Sequence, residues 1–432
     1  MPKTFRPYEP DQLLLLPPSL ADWVPEDHLA RFVGDVVGTL DLRRIEETYT
    51  EERGYPPYHP QMMVGLLLYA YCTGVYSSRK IGRQVIDSVA FRFLAAGHTP
   101  DFRTINEFRR RHGPALAALF EQVLRVCRQA GLGQLGRVAI DGTKIKANAS
   151  KHKAMSYGRM KQEETRLRQE VAELLRRAEQ ADRDEDAHYG PDRHGEELPA
   201  ELARRESRLR TIAAAKAALE AEARAAAGAQ GQDPDDTPPA DRAQRNFTDP
   251  ESKIQRTSDG FVQGYNAQLV VAEDQLIVAQ HVTAAAPDVQ EAVPAMRRLK
   301  AVLGAVPTVV LADGGYWSDA TVRTLEGQGS EVLIATQRPR RGHHAPAPPA
   351  PRGRPPAGLS AQQRMERRLA TRRGRRLYAL RKTLVEPVFG QIKHARGFRQ
   401  FLRRGLARVS EEWALVCSAH NLLKLFAVRA IA

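Results

Sequence analysis

Three acidic residues, Asp141, Asp313 and Glu386, stand where the pattern of the chain would bring them together. Asp141 closes the short apolar run 137–140 and Asp313 closes a second run, 308–312, so each is expected at the C-terminal end of a buried strand. Glu386 falls in a strongly basic helical stretch. Between 338 and 408 twenty Lys and Arg residues face only Glu366 and Glu386, a local balance of +18 that exceeds the +14 of the whole chain. A nearly isolated acid on a phosphate-attracting surface suits metal ligation. Carboxylates are the ligands of hard divalent cations such as Mg²⁺. A pair of such cations can activate the attacking oxygen and stabilise the leaving oxygen of a phosphodiester. Singly, each acid has a plainer reading: Asp-Gly after a strand is a common turn, and a Glu among arginines is an ion-pair partner. The combination, strand, strand and then helix, is what the chemistry asks for.

Composition agrees with a polyanionic partner. Lys and Arg number 65 against 51 Asp and Glu, and the isoelectric point is near 9.8. Nucleic acid is the first candidate and an acidic membrane surface the second. The most apolar stretch, 62–71, is far too short for a bilayer span and reads as a buried helix. Cys72, Cys127 and Cys417 are scattered and odd in number, so neither a disulfide framework nor a zinc site is expected, and a reducing cytoplasm fits. The run 13–16 is broken by prolines and preceded by Glu9 and Asp11, unlike a secretory signal. At 432 residues, two or three domains are expected.

The elements that must position the acids follow from periodicity. Residues 10–131 are helical in pattern, with Leu29, Phe32, Val33, Val36, Val37 and Leu40 on one stripe. His59-Pro60 opens the helix 62–71, Ser77 caps the next, and Thr104 with Glu107 forms a capping box for a stretch that breaks at Gly113-Pro114. Two helices joined by the turn 95–98 carry Arg79, Lys80 and Arg83 on one side and Arg109, Arg110 and Arg111 on the other. Spacing alone leaves two readings level: a helix-turn-helix DNA reader, or a bundle with a solvated basic face. Residues 158–240, with Met160, Leu167, Leu174, Leu202, Leu209 and Ile212 at heptad-like intervals, read as a helical hairpin insertion. Strands are expected at 265–271 and 276–282, a hairpin, and at 331–335; a helix is expected at 288–303. A basic, Pro- and Arg-rich linker, 338–376, leads into helices.

Five stretches in order carry a resemblance: 100–109 (PDFRTINEFR), 139–143 (AIDGT), 259–268 (DGFVQGYNAQ), 312–317 (ADGGYW) and 385–393 (VEPVFGQIK). Over nearly its whole length the chain resembles the DDE transposases of bacterial insertion sequences, in the large group with an all-helical N-terminal domain. The resemblance implies an α/β ribonuclease H-like catalytic core, 133–432, behind a helical DNA-binding domain, 1–132. It implies that Asp141, Asp313 and Glu386 bind two Mg²⁺ or Mn²⁺ ions and that the N-terminal helices contact terminal inverted repeats. It further implies target DNA as a second substrate and a homodimer on DNA. A signature of such transposases runs Tyr, two residues, Arg, three residues, Glu, six residues, Lys. Tyr378 with Arg381 fits its first step and Glu386 with Lys393 its last, but four residues separate Arg381 from Glu386. Lys382 therefore takes the position one turn before Glu386, and which of the two cations clamps the DNA backbone is left open. Pro387 puts Glu386 at a helix start or kink.

Lesser candidates are Lys144, Lys146 and Asn148 for phosphate, or a polar strand edge, and Tyr316 and Trp317 as base-stacking groups or buried anchors. His281, His394 and His420 lack metal-ligand spacing. Two rival functions remain: a DNA-binding regulator or inactive remnant without catalysis, and a nuclease that cuts without joining.

Overall fold

The structure, a computed structural model, describes residues 19–50, 56–189, 200–229, 231–233, 237–257, 260–336, 350–353, 355–356 and 358–429. The expectations for residues 9–16, for the hairpin connection within 190–199 and for the linker within 337–349 lie outside them.

The N-terminal stretch forms α1 (Leu29–Gly38), α2 (Arg43–Glu46), α3 (Pro60–Cys72), α4 (Ser78–Asp87), α5 (Val89–Leu94), α6 (Phe102–Arg111) and α7 (Gly113–Gln129). In α3 the proline sits in the first turn, His59 Nδ1 accepts from the Gln61 amide, and eleven of thirteen residues are buried, so this helix is core on every side. The capping box expected at Thr104 and Glu107 does not form. Asp101 is the N-cap, accepting from the Arg103 amide at 2.8 Å, which leaves Thr104 inside the helix and Glu107 free to pair with Arg110. The turn at 95–98 joins α5 to α6, with Ala96 and Gly97 at positive φ. Arg79 and Lys80 sit on α4, separated from that turn by the extended Ser88 and by α5, so the two basic helices are not the direct neighbours in sequence that a two-helix reading needs.

Then come β1 (Arg137–Lys146), β2 (Ala154–Ser156), α8 (Tyr157–Tyr189), α9 (Ala200–Ala229), β3 (Gln244–Asn246), β4 (Lys253–Thr257), β5 (Gly260–Ala272), β6 (Ile277–Thr283), α10 (Ala292–Leu303), β7 (Val309–Ala312), α11 (Asp319–Gly327) and β8 (Glu331–Ile334). The chain closes with α12 (Ala361–Ala370), α13 (Arg372–Gly390) and α14 (Leu406–Arg429). Helix therefore begins at Ala361, inside the stretch expected to be linker as far as 376.

Strand order is β4-β5-β1-β7-β8, with β6 also on β5. β1 runs antiparallel to β5 and parallel to β7, and β7 parallel to β8. Val138, Ala139, Ile140, Val310, Leu311 and Ala312 are fully buried, each larger one contributing roughly 1.5–3 kcal/mol of apolar burial. α14 lies between α7 and α3 on one side and β6 on the other. Its Asn421 accepts from the Ile277 amide at 2.9 Å and donates to the Ile277 carbonyl at 2.8 Å, which satisfies a buried amide and covers the start of β6. One continuous apolar core runs from α1 through the sheet to α14, across the boundary expected at 132. α8 and α9 pack on each other around Met160, Leu167 and Ile212, a second, smaller core. The three cysteines are buried thiols, with Cys72 and Cys127 pushed up to about 12 by desolvation.

Candidate active site

The parallel ladder between β1 and β7 pairs Ile140 with Ala312 and stops there. The next residue on each strand is an aspartate, so Asp141 and Asp313 leave the last rung side by side. Asp141 is not at the tip of its strand as expected: β1 continues to Lys146, paired with β5 along its length, and on the edge that β7 leaves it is met again only at Lys146, by a bridge to Gln400. Opening of one edge at residue 141 creates the site. Asp141 Oδ1 accepts from the Gly142 amide at 2.8 Å, and Asp313 Oδ1 accepts from the Gly315 amide at 2.7 Å, capping a 3₁₀ turn, Gly314–Tyr316. Burial, then the Asp313 charge, push the Asp141 carboxyl up to about 7, against the pull of Arg381.

α13 faces this edge. Arg381 Nη1 donates to Asp141 Oδ2 at 3.2 Å, and its Nη2 lies 3.9 Å from Glu386 Oε1. Glu386 is neither at a helix start nor past a break: α13 runs through Pro387 to Gly390 and closes in a π-turn, Gln391–Ala395. The Thr383 carbonyl, which loses its helical donor to the proline, accepts from Gln275 Nε2 at 3.3 Å. Lys382 is exposed, and the cation that touches Asp141 and lies near Glu386 is Arg381. Lys393, in the π-turn, donates to Thr143 Oγ1 at 2.7 Å; Thr143 lies two residues beyond Asp141, on the same face of β1. Tyr378 is half-buried beneath the Arg381 guanidinium, 6.0 Å from ring centroid to Cζ. The expected gathering of three carboxylates is thus met in part. Two adjoin, and the third is linked through Arg381; among the described residues no group of three His, Cys, Asp or Glu is close enough to hold a metal ion. Arg381 stands between Asp141 and Glu386, 3.2 Å from the one and 3.9 Å from the other.

A polar network behind the acids has no counterpart in the sequence reading. Asp288 Oδ1 accepts from Asn266 Nδ2 at 2.7 Å, Gln268 Nε2 at 2.9 Å and Lys144 Nζ at 3.3 Å. Gln268 Oε1 accepts from the buried Tyr316 hydroxyl, which ties the Asp313 turn to β5. Tyr316 is therefore a buried anchor and not a base-stacking group, while Trp317 is half-buried against the core. Two amides at alternate positions in the buried half of β5, Asn266 and Gln268, were the available signal; nothing local marks Asp288. Gly142 is required by this network, because a Cβ there would meet Gln268 Nε2 at 2.2 Å and Asn266 Oδ1 at 2.9 Å. Gly142→Ala is expected to lower stability by about 1–3 kcal/mol. In thermal unfolding, Gln268→Ala should restore part of that loss in the double variant, and simple additivity would refute the coupling.

The other expected contacts divide. Arg109 is buried, donating to Tyr71 Oη and the Tyr76 carbonyl. Arg110 pairs with Glu107, Arg111 donates to the Thr48 carbonyl and covers Tyr49, Arg79 covers Phe102, and Lys80 is exposed. Lys144 serves Asp288, and Asn148 donates to the Leu402 carbonyl. His281 bonds Glu291, and His420 is buried, its pKa lowered to about 3 by desolvation.

Two families match the chain: one described as Transposase domain (DUF772) over residues 18–111, the other as Transposase DDE domain over residues 356–426. Together the two matches support a DDE transposase of the insertion-sequence type. No curated protein and no solved structure matches it. The DDE match contains Arg381, Glu386 and Lys393, whereas Asp141 and Asp313 of the transposase lie between the matched stretches. A DDE domain implies dependence on divalent metal in general. The donor set of this transposase fits such an ion: hard carboxylate oxygens, two of them crowded enough to raise a proton affinity that a cation would lower again. No helix among the described residues is long and apolar enough to cross a membrane.

Proposed function

We propose that this transposase cleaves DNA at the ends of its element and joins them to target DNA on a ribonuclease H-like core, using Asp141, Asp313 and Glu386. The observation that carries the reading is the common register of Asp141 and Asp313 at the end of the β1–β7 ladder, with Glu386 brought to the same edge by α13. Three antiparallel strands, β6, β5 and β1, followed by parallel β7 and β8, support the core assignment. Asp141, Asp313 and Glu386 would hold two Mg²⁺ or Mn²⁺ ions. Bound there, the pair supplies Lewis-acid activation of the attacking oxygen and charge stabilisation of the leaving one. In cleavage, a water oxygen bonds to phosphorus as the bond to the 3′ oxygen breaks and that oxygen takes up a proton. In joining, the freed 3′-hydroxyl displaces a 3′ oxygen of the target strand. Arg381, the residue touching Asp141, is the one positioned to exchange its carboxylate partners for phosphate oxygens, and Lys393 holds the strand through Thr143. α8 and α9 form a helical hairpin insertion, and two copies act on paired ends.

The assay is incubation of the full chain with Mg²⁺ and a labelled duplex bearing the repeat that flanks its gene, plus a supercoiled target. Cleavage with joined products is expected. Cutting without joining would leave a nuclease, and binding without cutting a regulator.

A further inference from the structure

We infer that the cleft between α6 and the turn entering α14 is a second, non-catalytic site that grips a DNA backbone phosphate away from the cutting point. The inference rests on the reading of this chain as a DNA-cutting transposase. The cleft, about 330 Å³, is lined by Arg109, Arg110, Asn148, Arg403, Arg404 and Arg408, drawn from both matched regions and from the chain that follows β1. Arg109 is the telling residue. It is more than nine-tenths buried, two bonds to Tyr71 and Tyr76 hold its Nη1, and its Nε has no partner. Arg110 and Arg403 are paired with Glu107 and Glu411. Among the described residues Arg404 and Arg408 pair with no carboxylate, so the cleft keeps an excess of positive charge.

The walls are fixed before any ligand arrives. Glu412 Oε2 accepts from the Leu402 and Arg403 amides at 2.9 and 3.1 Å, Asn148 bonds the Leu402 carbonyl, and Arg404 Nε donates to the Asn148 carbonyl at 2.8 Å. A cluster of guanidinium groups on this fixed wall suits phosphate oxygens, so the contact positions the duplex without selecting sequence. Asn148 is seven residues beyond Asp141. At about 3.3 Å per residue, the cleft lies no more than roughly 23 Å from the acids, some seven phosphate spacings along one strand.

The test is binding of a fluorescent 30-base-pair duplex of mixed sequence, titrated at several salt concentrations, by the full chain and by Arg404→Ala/Arg408→Ala. Both side chains are exposed, and Arg43→Ala/Arg44→Ala removes the same charge elsewhere. The cleft variant is expected to bind about tenfold more weakly, with the slope of log K against log salt reduced by about 1 per arginine. The control should keep the slope of the parent. Equal slopes in all three proteins, equal loss in both variants, or no binding by the parent would overturn the inference. Mg²⁺-dependent cleavage by the parent is scored separately: cleavage with an unchanged slope sinks the cleft alone, and a reduced slope without cleavage sinks the transposition chemistry alone.

Discussion

Alanine at Asp141, Asp313 or Glu386 is expected to cut Mg²⁺-dependent cleavage by at least about 10³-fold while DNA binding stays within a few-fold. Each carboxylate contributes little to holding the backbone. Asp141 accepts from the Gly142 amide and from Arg381, Asp313 accepts from the Gly315 amide, and Glu386 is exposed, with Arg381 3.9 Å away. Removing any one should therefore leave the fold and the basic surface intact and take away only the charge that would collect cations. The three losses should not add, since one missing ligand already disables the shared site. Single-turnover cleavage of a labelled terminal duplex, beside binding of the same duplex in Ca²⁺, separates the two effects. A variant that keeps more than a tenth of parental cleavage would remove its residue from the chemistry. Parallel loss of binding would point to a structural role.

Asp141→Asn is expected to make the metal-free protein more heat-stable at pH 8 and not at pH 4. Burial and Asp313 raise the Asp141 carboxyl to about 7 from an ordinary 3.8. Between those values the folded chain holds a proton that the unfolded chain has released. Its stability therefore falls as pH rises through that window, by up to about 4 kcal/mol once the group is ionised. Asparagine keeps the size and removes the ionisation. Loss of the Arg381 partner offsets part of the gain, so a rise of roughly 3–8 °C at pH 8 is the expected net result. Mg²⁺ should raise the melting temperature of the parent more at pH 8 than at pH 5, because protons and cations compete for the same oxygens. A difference between variant and parent that is constant from pH 4 to pH 8 would rule out the raised carboxyl. Calorimetry at several pH values, with EDTA or Mg²⁺, makes both measurements.

Local pattern determined much of this protein. The stripe of α1, the proline-started core helix α3, the short apolar strands ahead of Asp141 and Asp313, and the β5–β6 hairpin are all legible because burial on one face imposes a period that neighbouring residues must share. The candidate acids and their basic setting were legible for the same reason: charge, and an acid directly after an apolar run, are local facts. Only the tertiary structure decided how these parts meet. It extended β1 through Asp141, because β5 pairs with the strand after β7 has ended. It carried α13 through Pro387, because Gln275 from another hairpin takes up the abandoned carbonyl. It chose Arg381 over Lys382, buried Arg109 and Tyr316, and recruited Asp288, each through partners 20 to 240 residues away. Hydrogen bonds and ion pairs of that range depend on where the sheet and helices come to rest, and no periodicity within a window of sequence records it.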